Sequence, residues 1–151
     1  MDSVHQDIFL YQKIKGGAMS KGNISVFYNW NKLKIKIHFS EQKKYFKQGE
    51  IWWCNVGQNV GVEINGKSEI FSRPVLIYKK FSTESFLAIP ITTRQKRGTW
   101  YAKVVIEGVE RVAVLSQIKT LSSFRLMSKK GKISAKDYES VKRAFKKLYI
   151  D

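Results

Sequence analysis

Gly49-Glu50-Ile51-Trp52-Trp53-Cys54-Asn55-Val56-Gly57 opens the stretch on which the fold reading turns, and Arg73-Pro74-Val75-Leu76-Ile77 and Ala88-Ile89-Pro90-Ile91-Thr92-Thr93 complete it. Each run is short, rich in Val, Ile and Trp, and bounded by glycine or polar residues, the pattern of a β-strand. Strands are expected over Ile51–Val56, Pro74–Tyr78 and Phe86–Ile91, and beyond them over Trp100–Ile106 and Arg111–Leu115. Turns fall at Gly57, Gly61 and Gly66, then at Gly98 and Gly108. Many short strands at this spacing point to a small barrel or sandwich.

Helical signals lie at both ends. Ser134 is an N-cap with Asp137 three residues on, and Tyr138, Val141, Ala144 or Phe145, and Leu148 form a stripe expected to pack on the barrel. Between Ser25 and Phe39 two periods compete. Phe27, Trp30, Leu33 and Ile37 recur at helical spacing, while Leu33 to Phe39 alternate with Lys34, Lys36 and His38 like a strand. A short helix with a frayed or extended end is the favoured reading. Residues 1–22 read as a weakly ordered extension broken by Gly16, Gly17 and Gly22, with Met19 an alternative start. Residues 23–45 then form a helical appendage and polar linker, and 46–151 the main domain.

The chain of 151 residues is long enough for one domain with a buried core, and 43% hydrophobic and 13% aromatic content are globular values. Lys and Arg number 28 against 12 Asp and Glu, a net charge of +16. Residues 111–151 hold 11 Lys+Arg and 3 Asp+Glu, half of that excess. A polyanionic partner, nucleic acid, is the expectation, although a solvated helix face explains much of the tail's charge. A single cysteine, Cys54, excludes an internal disulfide, and with only His5 and His38 it makes no metal site by usual spacing. Cys54 lies in the apolar strand pattern and is expected in the core. The N-terminus shows no signal-peptide pattern, and nothing approaches the roughly 20 apolar residues of a membrane helix. The expected compartment is a reducing cytoplasm, with no membrane contact.

Glu63 stands in a loop flanked by Gly61 and Gly66, where a carboxylate stays accessible and a ligand backbone can approach closely. Arg73 precedes Pro74, which biases it toward extended backbone at a strand entrance, where a guanidinium can grip a phosphate. Thr92 and Thr93 end a strand and offer hydroxyls. Alone, each feature is ordinary. Together they are an acid, a cation and a donor, the set that metal-free RNA cleavage requires.

In order and combination these blocks resemble the MazF/PemK family of toxin endoribonucleases. The matching segments are Gly49-Glu50-Ile51-Trp52, Gly61-Val62-Glu63-Ile64-Asn65-Gly66, Arg73 to Ile77, Pro90-Ile91-Thr92, Leu115-Ser116-Gln117-Ile118-Lys119-Thr120 with Arg125-Leu126, and Gly131-Lys132-Ile133-Ser134. They span about residues 46–150. The resemblance implies a β-rich α+β fold, a small SH3-like barrel of the MazF/Kid/CcdB type with a C-terminal helix, here carrying an N-terminal helical extension. It implies a homodimeric toxin of a type II toxin–antitoxin pair that cuts single-stranded RNA, notably mRNA, without metal or cofactor. The products would be a 2′,3′-cyclic phosphate and a 5′-hydroxyl, and a cognate acidic antitoxin would inhibit it. By the same resemblance Glu63 is the general base, Arg73 stabilises the phosphate and serves as a candidate acid, and Thr92 contacts the scissile phosphate. Thr93, Ser116 and Gln117 support the site, Gln117 by organising it. Lys67, Arg94, Lys96 and Arg97 are the expected RNA contacts at the groove rim.

Three departures stand out. Lys67 to Ser72 lengthen the segment between Gly66 and Arg73; Ser116 stands where many members carry an acid, which shifts the base role onto Glu63; and nothing before Phe46 has a counterpart in compact members. Trp52 and Trp53 alternate faces of one strand, so at least one belongs to the core. Two other readings stay open: a non-catalytic toxin of the same fold that jams a protein such as gyrase, and a plain nucleic-acid-binding SH3-like module.

Overall fold

The computed structural model describes residues 21–151. The expectations for residues 1–20, including the Met19 start, lie outside the described residues. Helix α1 (Lys21–Ser40) precedes seven strands, β1 (Glu50–Asn55), β2 (Ser72–Lys80), β3 (Ser85–Thr92), β4 (Tyr101–Ile106), β5 (Val109–Val114), β6 (Lys119–Ser122) and β7 (Leu126–Lys132), followed by helix α2 (Ala135–Tyr149). The strands run in the order β4-β5-β3-β2-β1-β7, all pairings antiparallel, with β6 also on β3.

One strand makes the sheet curl. β3 pairs with β6 through Ser85–Ala88 and with β5 through Ile91–Thr92, while β2 holds it from Val75 to Lys80 on the other side. Pro90 falls where the partner changes, and a residue with no N–H to give suits a break in the ladder. The result is an antiparallel half-barrel with one helix before its strands and one after them.

Both faces of β1–β3 are buried, which is why these strands read as continuous apolar runs. Ile51, Leu76, Ile89 and Ile91 join Val104, Ile106, Leu115 and Val141 in one cluster, against which Tyr138, Ala144, Phe145 and Leu148 of α2 pack as their spacing predicts. Trp52, Cys54, Val75, Ile77, Phe86 and Ala88 form the other cluster with Leu121 and Leu126. Phe46 belongs to it too, so the polar linker ends on a core anchor. Trp52 is buried, whereas Trp53 is half-buried on the opposite face.

β1 begins on a buried carboxylate. Glu50 accepts from Trp52 Nε1 (2.9 Å), from the Lys47 backbone N–H (2.9 Å) and from Lys129 Nζ (2.8 Å). Burial pushes its pKa up, but these three donors outweigh that and hold it below the usual carboxylate value. Lys129 lies on β7, which the sequence reading did not find, nor did it find β6. β6 has four residues, and Ser128, Lys129 and Lys130 break the apolar alternation of β7, whose backbone completes an edge beside β1.

The helical ends differ from expectation in detail. α1 is one continuous helix, so the 3–4 spacing outweighs the lysine alternation, and Gly22 lies within its first turn. Ser134 caps α2 by accepting from the Asp137 N–H (3.1 Å), a contact of about 1 kcal/mol. Asp137 does not return the bond; its carboxylate accepts from the Val105 N–H (2.9 Å) and ties the helix to β4. The β4–β5 hairpin turns through Glu107 (φ 52°) and Gly108 (φ 77°), two left-handed residues in the two-residue loop that fits strand twist.

Candidate active site

Two adjoining clefts share Lys67, Arg73 and Thr92. The larger, about 700 Å³, is also lined by Asn65, Arg94, Lys96, Ser116 and Gln117, with Trp100 and Tyr101 contributing aromatic surface. The smaller, about 340 Å³, adds Trp53, Thr93, Arg111 and Lys130. Most of the residues singled out from sequence therefore meet here: Arg73, Thr92, Thr93, Ser116, Gln117, Lys67, Arg94 and Lys96. Glu63 and Arg97 are not among the lining residues of either cleft.

Arg73 sits where β2 begins and is half-buried. Its Nε donates to Asn65 O (2.9 Å) and one terminal nitrogen to Ile91 O (3.2 Å), so the guanidinium is held between the 57–66 loop and β3. Burial lowers its pKa, and the nearby charge of Arg94 lowers it further. Two guanidiniums within mutual influence are relieved by an anion placed between them. Among the described residues no carboxylate does this: none of their Asp or Glu side chains lines either cleft, and none of their ion pairs involves Lys67, Arg73, Arg94, Lys96 or Arg111. Thr92 ends β3, and its Oγ1 accepts from the Arg94 N–H (3.2 Å), which turns the chain toward the rim.

The glycine-rich loop is a built structure. Asn65 Oδ1 accepts from the Asn59 N–H (2.6 Å), while Asn59 Nδ2 donates to Ile64 O (2.7 Å) and Val56 O (3.3 Å). Gln117 grips the same loop from the 3₁₀ turn Leu115–Gln117: its Oε1 accepts from the Ile64 N–H (3.0 Å) and its Nε2 donates to Val62 O (3.1 Å). That turn is in turn tied to α2, since Tyr149 Oη donates to Leu115 O (2.6 Å). Glu63 lies between the two residues Gln117 holds, exposed, with its carboxylate accepting from the Val60 N–H (3.2 Å). It caps its own turn at the lip of the cleft, flanked by Val62 and Ile64, which do line it.

Asn59, Asn65, Arg111, Lys130, Trp53 and Tyr101 were not singled out as site residues by sequence. The Asn pair carried a signal, two short amides bracketing a glycine loop, which such side chains commonly fix. Arg111 and Lys130 carried none beyond charge. Among the described residues no three His, Cys, Asp or Glu side chains gather as they would around a metal ion. Nor is any helix among them long and apolar enough to cross a membrane.

The chain matches the family model of PemK-like, MazF-like toxins of type II toxin–antitoxin systems over residues 47–149. Solved structures with the same fold include an endoribonuclease in complex with its cognate antitoxin from a mycobacterial species, 15% identical, with a TM-score of 0.56, covering 71% of this chain and 98% of that one. MazF from Deinococcus radiodurans is 21% identical with a TM-score of 0.56, covering 70% of this chain and 97% of its own. The Mycobacterium tuberculosis toxin MazF-mt6 is 16% identical with a TM-score of 0.51, over 66% and 95%. At these identities the likeness is one of fold. No curated protein matches in sequence.

Proposed function

Since this chain belongs to the PemK-like, MazF-like toxins of type II toxin–antitoxin systems, we propose that it is an endoribonuclease that cuts single-stranded RNA without metal. The observation that carries this reading is the pair of clefts converging on Arg73, Thr92 and Lys67, with no Asp or Glu among their described lining residues. A phosphodiester there can meet the Lys67 and Arg73 cations and the Thr92 hydroxyl together, beside aromatic surface from Trp53, Trp100 and Tyr101.

In the proposed reaction the ribose 2′-oxygen attacks phosphorus as its proton passes to a base. The bond from phosphorus to the 5′-oxygen breaks, and that oxygen takes up a proton. Arg73 faces the charge that develops on the phosphorane, and its lowered pKa makes it a better proton donor than a free guanidinium. Thr92 orients the phosphate. Glu63 supplies the base once its carboxylate leaves the Val60 N–H and swings over the lip, a movement within one exposed turn. Gln117, holding the backbone on both sides of Glu63, organises this step and takes no part in it. Ser116 lines the cleft as a neutral hydroxyl. Lys67, Arg94 and Lys96, with Arg97 beyond, contact the flanking strand. A homodimer and an acidic antitoxin that covers the basic cleft complete the proposal; the mycobacterial relative was solved with its cognate antitoxin.

Purified protein is expected to cleave single-stranded RNA in EDTA, leaving 2′,3′-cyclic phosphate ends. Cleavage that appears only on adding Mg²⁺ overturns the metal-free mechanism. A second reading draws on one observation: with Glu63 capping its own turn, the clefts hold no base. Tight binding with RNA left intact identifies a non-catalytic member, and inhibition of gyrase in the same preparation identifies its target as a protein.

A further inference from the structure

We propose that Trp30, on helix α1, is a positioning residue for the cleft, holding the 57–72 segment in the form that presents Lys67 and Arg73. The inference rests on the ribonuclease reading for its substrate, and on geometry for the rest. α1 lies wholly before the family match, which begins at residue 47. Yet its Trp30 is only 7% exposed, in a helix whose Phe27, Ile35 and Phe39 are open to solvent.

Three contacts fix the indole. Its ring lies directly on Gly57, where an added Cβ would meet the ring at 2.4 Å. It meets the Phe71 ring at 5.6 Å between centroids, and the Arg125 guanidinium lies 5.5 Å from its centroid. Gly57 and Phe71 stand at the two ends of the segment that walls the cleft. The Gly57 N–H donates to Phe71 O (3.1 Å) and the Gly66 N–H to Gly57 O (2.8 Å). Gly66 touches the Phe71 backbone so closely that no side chain fits between them. Lys67 and Ser72 then exchange backbone hydrogen bonds, and Arg73 follows. Arg125 extends the brace, donating to Asn55 O (3.0 Å), while Asn55 Nδ2 donates to Ile70 O (2.8 Å).

The 67–72 insertion needs such a brace. Ser68 (φ 62°) and Phe71 (φ 50°) both sit in the left-handed region, which a bulky aromatic residue resists. A strained conformation persists when its surroundings over-determine it, and here the surroundings are the buried Phe71 ring and the indole against it. The extra helix and the extra loop are therefore matched parts: each departure from the compact family pattern supports the other. Without the indole, Phe71 can relax and Lys67 loses its fixed approach to the cleft. Arg73 keeps its second anchor, Ile91 O on β3, so the binding of RNA suffers more than the chemical step.

The test uses the full chain, with RNA-cleavage kinetics and amide hydrogen exchange measured on the same variants. Trp30→Ala is expected to raise KM about tenfold and change kcat less than about threefold, with Trp30→Phe restoring most of the loss. Exchange should quicken at Gly57, Gly66 and Ser72 and stay unchanged in the β4–β5 hairpin. Val141→Ala, which opens a cavity in the core cluster beneath α2, away from Trp30 and Phe71, controls for destabilisation alone and should leave KM in place. Phe71→Ala removes the other half of the contact and must reproduce the loop-confined exchange, including where Trp30→Ala does not fold. Equal KM in Trp30→Ala and wild type, or exchange that rises uniformly along the chain, overturns the proposal. If the wild type cleaves no RNA, the ribonuclease reading fails, and the exchange pattern still decides whether Trp30 braces the loop.

Discussion

The two sides of the large cleft are built in opposite ways. The 57–66 loop is tied by Asn59, Asn65 and Gln117 in a mesh of side-chain hydrogen bonds, and it is braced from behind by α1. The Thr93–Trp100 segment leaves β3 through one Thr92 contact and returns through backbone bonds of Gly98 and Trp100. All of its residues are exposed, and three of them are cationic. One side is preorganised and carries the candidate base; the other is a loose cationic rim. Precise placement serves a reacting group, while a long-range charge acts through solvent and needs no fixed rotamer.

Mutations that strike one side at a time sharpen this contrast. Arg73, which touches the built side and β3 together, should matter most: Arg73→Ala is expected to lower kcat by about 10³-fold, read by single-turnover cleavage. Glu63→Gln keeps an oxygen for the Val60 N–H, so the turn survives while the base is lost. A fall of about 10²-fold with an unchanged melting temperature is expected; an unchanged rate removes Glu63 from the chemistry. Asn59→Ala deletes the donor to Ile64 O and Val56 O and should cost about 1–2 kcal/mol of stability, measured by urea unfolding. On the rim, Arg94→Ala and Lys96→Ala should each stay within about 0.5 kcal/mol of wild-type stability. Each should instead flatten the salt dependence of RNA binding, by about 0.7 in the log–log slope per charge removed. A rim variant that unfolds, or an Asn59 variant that does not lose stability, breaks the contrast between the two sides.

The same contrast explains what could be read from sequence. The half-barrel was legible because burial on both faces of β1, β2 and β3 writes itself as apolar runs, and the cap and stripe of α2 are local patterns. The convergence of Arg73, Thr92 and Gln117 followed from ordered family blocks, whereas Lys67 joins them from the segment that departs from the family pattern. What escaped was non-local or masked. β7 hides its pairing with β1 under lysines, and the Asn59–Asn65 mesh depends on a loop path that spacing does not fix. The orientation of the exposed Glu63 carboxylate goes with a contact to one backbone N–H, that of Val60, which sequence spacing does not specify. Trp30 looked like one apolar position of an ambiguous helix. The glycine facing it, 27 residues on, and the Phe71 ring beside it reveal that the segment after β1 leaves it a seat.

Cys54 offers a practical consequence. The thiol is completely buried near the end of β1, and burial pushes its pKa up to about 12. An alkylating reagent needs the thiolate, so it should find nothing to react with until β1 itself is exposed. Because the chain has one cysteine, every label then counts one molecule that has opened. A timed pulse of iodoacetamide thus turns this strand into a clock for global unfolding. The same sample can report cleavage and loop exchange, separating a toxin that has lost its grip on RNA from one that has come apart.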